Sequence, residues 1–126
     1  KVHVYARDTG TGELTGKGSV PVGTGVDNLD VDERGVIWAG CHAKLLSFVA
    51  HSKDPAKHSP SEVVRIRPLE KGGYTVSTVY LNDGEELSGS SAAAAWKGRM
   101  LVGAVYDERF LDCALAPGKT PDDAER

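Results

Sequence analysis

Apolar and polar residues alternate along much of this chain with the period of two that a half-buried strand requires. Val2 to Ala6 and Glu13 to Val20 flank Asp8-Thr9-Gly10-Thr11-Gly12, a turn-rich stretch suited to a hairpin loop, and so predict one antiparallel pair. Leu29-Asp30-Val31-Asp32 predicts a half-exposed strand whose acids, Asp30 and Asp32, form its solvent face. Beyond the turn Glu33-Arg34-Gly35, the run Val36-Ile37-Trp38-Ala39-Gly40 is apolar throughout, which predicts a core strand buried on both faces. Leu45 to Ala50 predicts a further strand, and His51 to Pro60, polar and carrying two prolines, a surface loop. Strands follow over Glu62 to Ile66 and Tyr74 to Leu81. Asn82-Asp83-Gly84 then predicts a tight turn and a short return segment through Leu87. Residues from Pro117 onward read as a frayed tail.

A second pattern appears when the chain is laid over itself with a shift of 63 residues: Gly35 falls on Gly98, Gly40 on Gly103, and Val36-Ile37-Trp38-Ala39 on Arg99-Met100-Leu101-Val102. In both copies a strand enters, a polar turn carries Gly, and an apolar strand ends at a second Gly, as when one supersecondary unit is reused. Such a unit fits twice into 126 residues. Closed propellers have about 4 to 8 blades, so if each unit is a blade the chain is part of a ring.

Composition sharpens the fold class. Fifteen Gly and six Pro beside only 6% aromatic residues favour short strands and turns over long helices, hence a mostly β chain. The net charge of −3, with both signs scattered, gives no footprint for nucleic acid or an anionic membrane. The longest apolar stretch, Ala92 to Trp96, falls far short of the ~20 residues of a membrane helix. The opening Lys1-Val2-His3-Val4-Tyr5 carries no leader pattern and reads as the middle of a domain. Cys41 and Cys113 permit one bridge but define no disulfide framework.

Among residues able to do chemistry, Asp27-Asn28 offers a carboxylate and an amide carbonyl, hard oxygen donors of the kind calcium prefers. Neighbouring strand residues face opposite ways, so both reach one ion only if the dipeptide sits on a bend or bulge. The plainer alternative is a turn held by these two side chains. Calcium takes about 6 to 8 oxygens, so further donors must come from elsewhere. The 63-residue shift lays this pair on Ser90-Ser91. Asp30 to Gly35 fails as an EF-hand loop, with Arg34 at the fifth position and Cys41 at the twelfth. Cys41 and His42 are adjacent, so an extended strand sends them to opposite faces and one of them to the core, with His42 able to face a cavity. His3 reads as an edge-strand residue, and His51 and His58 as loop residues. The signatures of zinc peptidases, α/β-hydrolases and P-loop proteins are absent from the sequence.

The segments Val26 to Asp32, Trp38-Ala39-Gly40-Cys41-His42, Ser61 to Ile66, Leu87 to Ser91, Trp96 to Gly103 and Phe110 to Leu115 resemble, in order and spacing, the C-terminal third of the paraoxonase/arylesterase family. The resemblance implies an all-β fold, residues 1–116 forming about two blades of a six-bladed β-propeller with 117–126 as a tail. It implies a calcium-dependent hydrolase of lactones and aryl esters, inactive without the remaining blades, acting on a small ester or lactone. Asp27 and Asn28 fall on the family's pair of catalytic-calcium ligands. His42, Ser91 and Tyr106 fall on substrate-pocket positions, and the proposed base, a His pair, belongs to an earlier part of the family's chain. Cys113 falls on a cysteine that bridges to an N-terminal partner and Cys41 on a free one, so no Cys41–Cys113 bond is expected. The family likeness also suggests secretion. Ala43 replaces the family's usual Pro, and Asp107-Glu108-Arg109 a shorter link, which bears on the pocket rim. Two other readings remain: a self-contained β module that binds a ligand without catalysis, and a gluconolactonase-type propeller hydrolase.

Overall fold

The computed structural model describes residues 1–115, and the expected tail over 117–126 lies outside them. Three antiparallel sheets and one short helix make up the fold. A hairpin of β1 (Val2–Arg7) and β2 (Leu14–Val20) comes first. Its loop is tied by Asp8, whose carboxylate accepts the N–H groups of Gly10 at 2.9 Å and Thr11 at 2.7 Å. A four-stranded meander follows, of β3 (Gly25–Val31), β4 (Ile37–His42), β5 (Ser61–Pro68) and β6 (Tyr74–Asn82). The third sheet holds β7 (Ser90–Trp96), β8 (Arg99–Ala104) and β9 (Phe110–Ala114).

The four-stranded sheet is the middle layer. One of its faces packs Val36, Trp38 and Val63, with Leu87 from the connection after β6, against Ala93, Met100 and Val102 of the third sheet. The other packs Ala39, Cys41, Val64 and Ile66 against Val2 and Val20 of the first hairpin. Burial on both sides explains why the run Val36 to Gly40, which leads into and forms most of β4, is apolar throughout, as its sequence predicts. The β3–β4 and β7–β8 hairpins are the two halves of the 63-residue repeat, and each carries a break in register near its start, at Val26/Leu29 and at Ser90/Ala92.

The layers touch most closely at Gly40. A Cβ there would overlap the main chain of Ser91 and Ala92, so only glycine lets β7 cross β4 at this distance. At its repeat counterpart, Gly103, no described residue lies within 4 Å of the same position.

Four local expectations are corrected. Leu45 to Ala50 is not a strand but the first part of helix α1 (Leu45–Lys53). A short apolar run cannot be assigned from periodicity alone; here Phe48 and His51, three apart, turn inward while Leu46 stays 85% exposed. The helix also takes in the start of the expected surface loop, so His51 is wholly buried rather than a loop residue; His58 does lie exposed, beside Glu85 at 3.0 Å. Leu87 does not return along β6: the chain after Asn82 leaves the sheet, and Leu87 fills the core between sheets. Finally, Asp30 is exposed as expected, but Asp32 turns inward and stitches the β3–β4 turn, accepting the N–H groups of Arg34 at 2.9 Å and Val36 at 3.0 Å and the Trp38 indole at 3.1 Å.

Candidate functional site

Asp27 and Asn28 occupy the β3 bulge, both lying between the pairs Val26–Cys41 and Leu29–Ala39 and so opposite the single residue Gly40. The bulge is the bend that adjacent residues need in order to act together. Ser91 occupies the matching bulge on β7. Its neighbour Ser90, wholly buried, anchors the start of that strand: its hydroxyl faces the carbonyls of Cys41 at 2.9 Å and Glu62 at 3.1 Å and accepts the Glu62 N–H at 2.9 Å.

With β7 held there, the side chains meet across the repeat. Asn28 Nδ2 donates to the Ser91 hydroxyl at 2.9 Å and to the Ser91 carbonyl at 3.2 Å. The Ser91 hydroxyl donates to Asp27 Oδ2 at 2.8 Å. His42 Nε2 approaches the same oxygen at 3.4 Å. Among the described residues, no hydrogen bond reaches the other oxygen of Asp27 or the amide oxygen of Asn28.

His42 lies flat on Phe48, with ring centroids 3.5 Å apart and planes 14° from parallel. Burial holds its pKa below the ordinary imidazole range; Asp27 opposes that shift, and His51 adds to it. Burial thus favours the neutral imidazole. A proton on Nε2, facing Asp27, leaves the buried Nδ1 bare, and no described residue bonds to it. His42 and Cys41 do face apart, and Cys41 lies in the core, where burial first and the Glu62 charge second push its thiol pKa up to about 12.

Behind His42 runs an array of rings from helix α1. Phe48 lies 6.3 Å from His51, and His51 meets Tyr106 edge-on at 5.3 Å. His51 Nδ1 donates to the Lys57 carbonyl at 2.7 Å. Tyr106 donates to the Ser52 carbonyl at 3.4 Å. The structure thus joins Asp27, Asn28, His42 and Ser91 directly and places Tyr106 against the helix behind them. Phe48 and His51 were missed because their segment was expected as strand and loop; their spacing of three on one helix face was the available signal.

The donor set fits a hard cation in kind: a carboxylate and an amide, each with an oxygen free of hydrogen bonds. It falls short in number of the about 6 to 8 ligands calcium takes. No group of three or more His, Cys, Asp or Glu among the described residues is placed to hold a metal.

The arrangement defines a layered antiparallel β protein with a carboxylate–amide pair displayed where two repeat units cross. A family model described as Arylesterase matches residues 1–115. The chain belongs to the paraoxonase/arylesterase family. It is 38% identical over 116 residues to serum paraoxonase/arylesterase 2 of Homo sapiens, a match covering 91% of this chain and 32% of that protein. Against serum paraoxonase/arylesterase 1 of Homo sapiens it is 37% identical over 117 residues, covering 91% and 32%. Against serum paraoxonase/lactonase 3 of Oryctolagus cuniculus the figures are 39% over 107 residues, 82% and 28%. The chain spans about a third of the length of these curated relatives.

Proposed function

We propose that this chain is an arc of about two blades from a six-bladed β-propeller hydrolase that acts on aryl esters and lactones and depends on calcium. The observation that carries the reading is the β3 bulge, which presents Asp27 and Asn28 side by side with one free oxygen each. Relatives named as arylesterases and lactonases supply the reaction class. In this reading the Asp27 carboxylate and the Asn28 amide oxygen hold the cation, and donors from other blades complete its shell. Bound there, calcium supplies Lewis-acid polarisation of the ester carbonyl and stabilisation of the developing oxyanion. His42, stacked on Phe48, forms a wall beside the ligand pair.

Two features support the ring. Gly40 receives the main chain of the next sheet, whereas no described residue fills the equivalent place at Gly103, as expected of an arc where a further blade docks. Large apolar side chains also stay exposed on all three described sheets, including Leu14, Leu29, Leu81 and Phe110. Neither feature suits a self-contained binding module. The match to the arylesterase model favours this family over a gluconolactonase-type hydrolase. Secretion belongs to the proposal as well, on the likeness alone.

The test is hydrolysis of an aryl acetate and of an aliphatic lactone by the complete polypeptide and by this chain alone. The complete protein should lose activity to a calcium chelator and regain it with calcium, and Asp27→Ala should abolish it, while the isolated arc stays inactive. Undiminished turnover in Asp27→Ala, or tight calcium binding by the isolated arc, defeats the proposal.

A further inference from the structure

We infer that Ser91 is a positioning residue for the cation ligands and not a substrate contact. The inference rests on the calcium reading above and deepens it. A serine hydroxyl has one proton and two lone pairs. The Ser91 proton goes to Asp27 Oδ2 at 2.8 Å, and one lone pair takes the Asn28 Nδ2–H at 2.9 Å. No proton is left for a substrate oxygen.

The main chain of Ser91 settles the orientation of Asn28. A carbonyl only accepts, so the group 3.2 Å from the Ser91 carbonyl must be the amide nitrogen. The Asn28 oxygen is therefore turned away from Ser91. Asp27 is held in the same manner, because Ser91 and His42 both engage Oδ2 and leave Oδ1 free. One residue thus turns the metal-facing oxygens of two neighbours. It reaches them from the other repeat unit, exactly one 63-residue period beyond Asn28, because Gly40 lets the strands cross.

Groups that orient metal ligands commonly change metal affinity by about 10- to 100-fold when removed. Calcium binding to the complete polypeptide, measured by competition with a chelator, should weaken by that factor in Ser91→Ala. Ser91→Thr, which keeps the hydroxyl, should restore it. At saturating calcium, the lactone KM of Ser91→Ala should match wild type. Unchanged calcium affinity with a raised KM would instead mark Ser91 as a substrate contact and overturn the inference. A wild type that binds no calcium defeats the cation reading itself; a wild type that binds no better than Ser91→Ala defeats only the role of Ser91. Should Ser91→Ala fail to fold, Ser91→Cys, whose thiol is a weak donor, gives the same reading: weakened affinity supports the inference and wild-type affinity overturns it.

Discussion

The carboxylate of Asp32 accepts a hydrogen bond from the indole nitrogen of Trp38 at 3.1 Å, so the end of β3 is fastened to the core strand beside it. Burial alone would raise the pKa of Asp32, but the bonds from Trp38, Val36 and Arg34 outweigh it and hold the carboxyl below its usual value. A depressed folded-state pKa contributes stability that is present above the unfolded value of about 3.9 and is lost as pH falls through the folded one. Asp32→Asn should therefore unfold at lower urea than wild type at pH 7, by about 1–3 kcal/mol. That gap should narrow below about pH 4, and a gap independent of pH would show that the charge is not what matters.

Gly40 and Gly103 occupy equivalent repeat positions yet should respond differently to the same change. Gly40→Ala forces a methyl group into the main chain of β7, and overpacking of this kind costs about 1–3 kcal/mol. Gly103→Ala meets no described residue within 4 Å and should leave the stability of this chain within about 0.5 kcal/mol. In the complete polypeptide, where the proposed ring would fill that place, Gly103→Ala should become costly too. Equal melting temperatures for wild type and Gly103→Ala in both contexts would remove the structural support for a neighbouring blade.

Cys41 and Cys113 are both free, and they pack on opposite sides of the middle sheet. With its pKa pushed up to about 12 and no solvent exposure, Cys41 should be the slower of the two to alkylate in this chain when folded, where the N-terminal partner expected for Cys113 is not present. Mass spectrometry after timed alkylation checks the order, and urea should abolish the difference. Labelling of Cys41 first would place it outside the core.

Gly89 has φ +63°, and a Cβ on it would lie 2.9 Å from the ring of His51. Gly89→Ala should cost about 1–2 kcal/mol for the left-handed backbone alone, and more for the clash. In a double-mutant cycle with His51→Ala, the clash portion should vanish and the backbone portion remain. Strict additivity would mean that the helix and the Gly89 loop do not press on one another.

The sequence made the strands legible wherever alternation or continuous apolar character marked a face, as in β4 and the two repeat hairpins. Helix α1 was not legible, because Leu45 to Ala50 is too short for periodicity to separate helix from strand. Asp32 misled because alternation says which way a strand residue faces only while the strand lasts, and Asp32 lies just past it. The bulge under Asp27 and Asn28 could be stated as a condition but not foreseen, since alternation in the sequence does not mark an extra residue in one strand of a pair. Ser91 entered through the 63-residue shift and as a pocket position through family resemblance, but its bonds to Asp27 and Asn28 depend on a crossing of strands that neither segment encodes alone.

The crossing at Gly40 is made by main-chain atoms, which every amino acid shares. A solvent-facing side chain of the incoming strand, such as that of Ala92, can therefore diverge over evolutionary time without loosening that joint. Such a design separates heritable change in chemical preference from the mechanical fit of neighbouring units, and mutational drift at Ala92 can proceed while the seam stays shut.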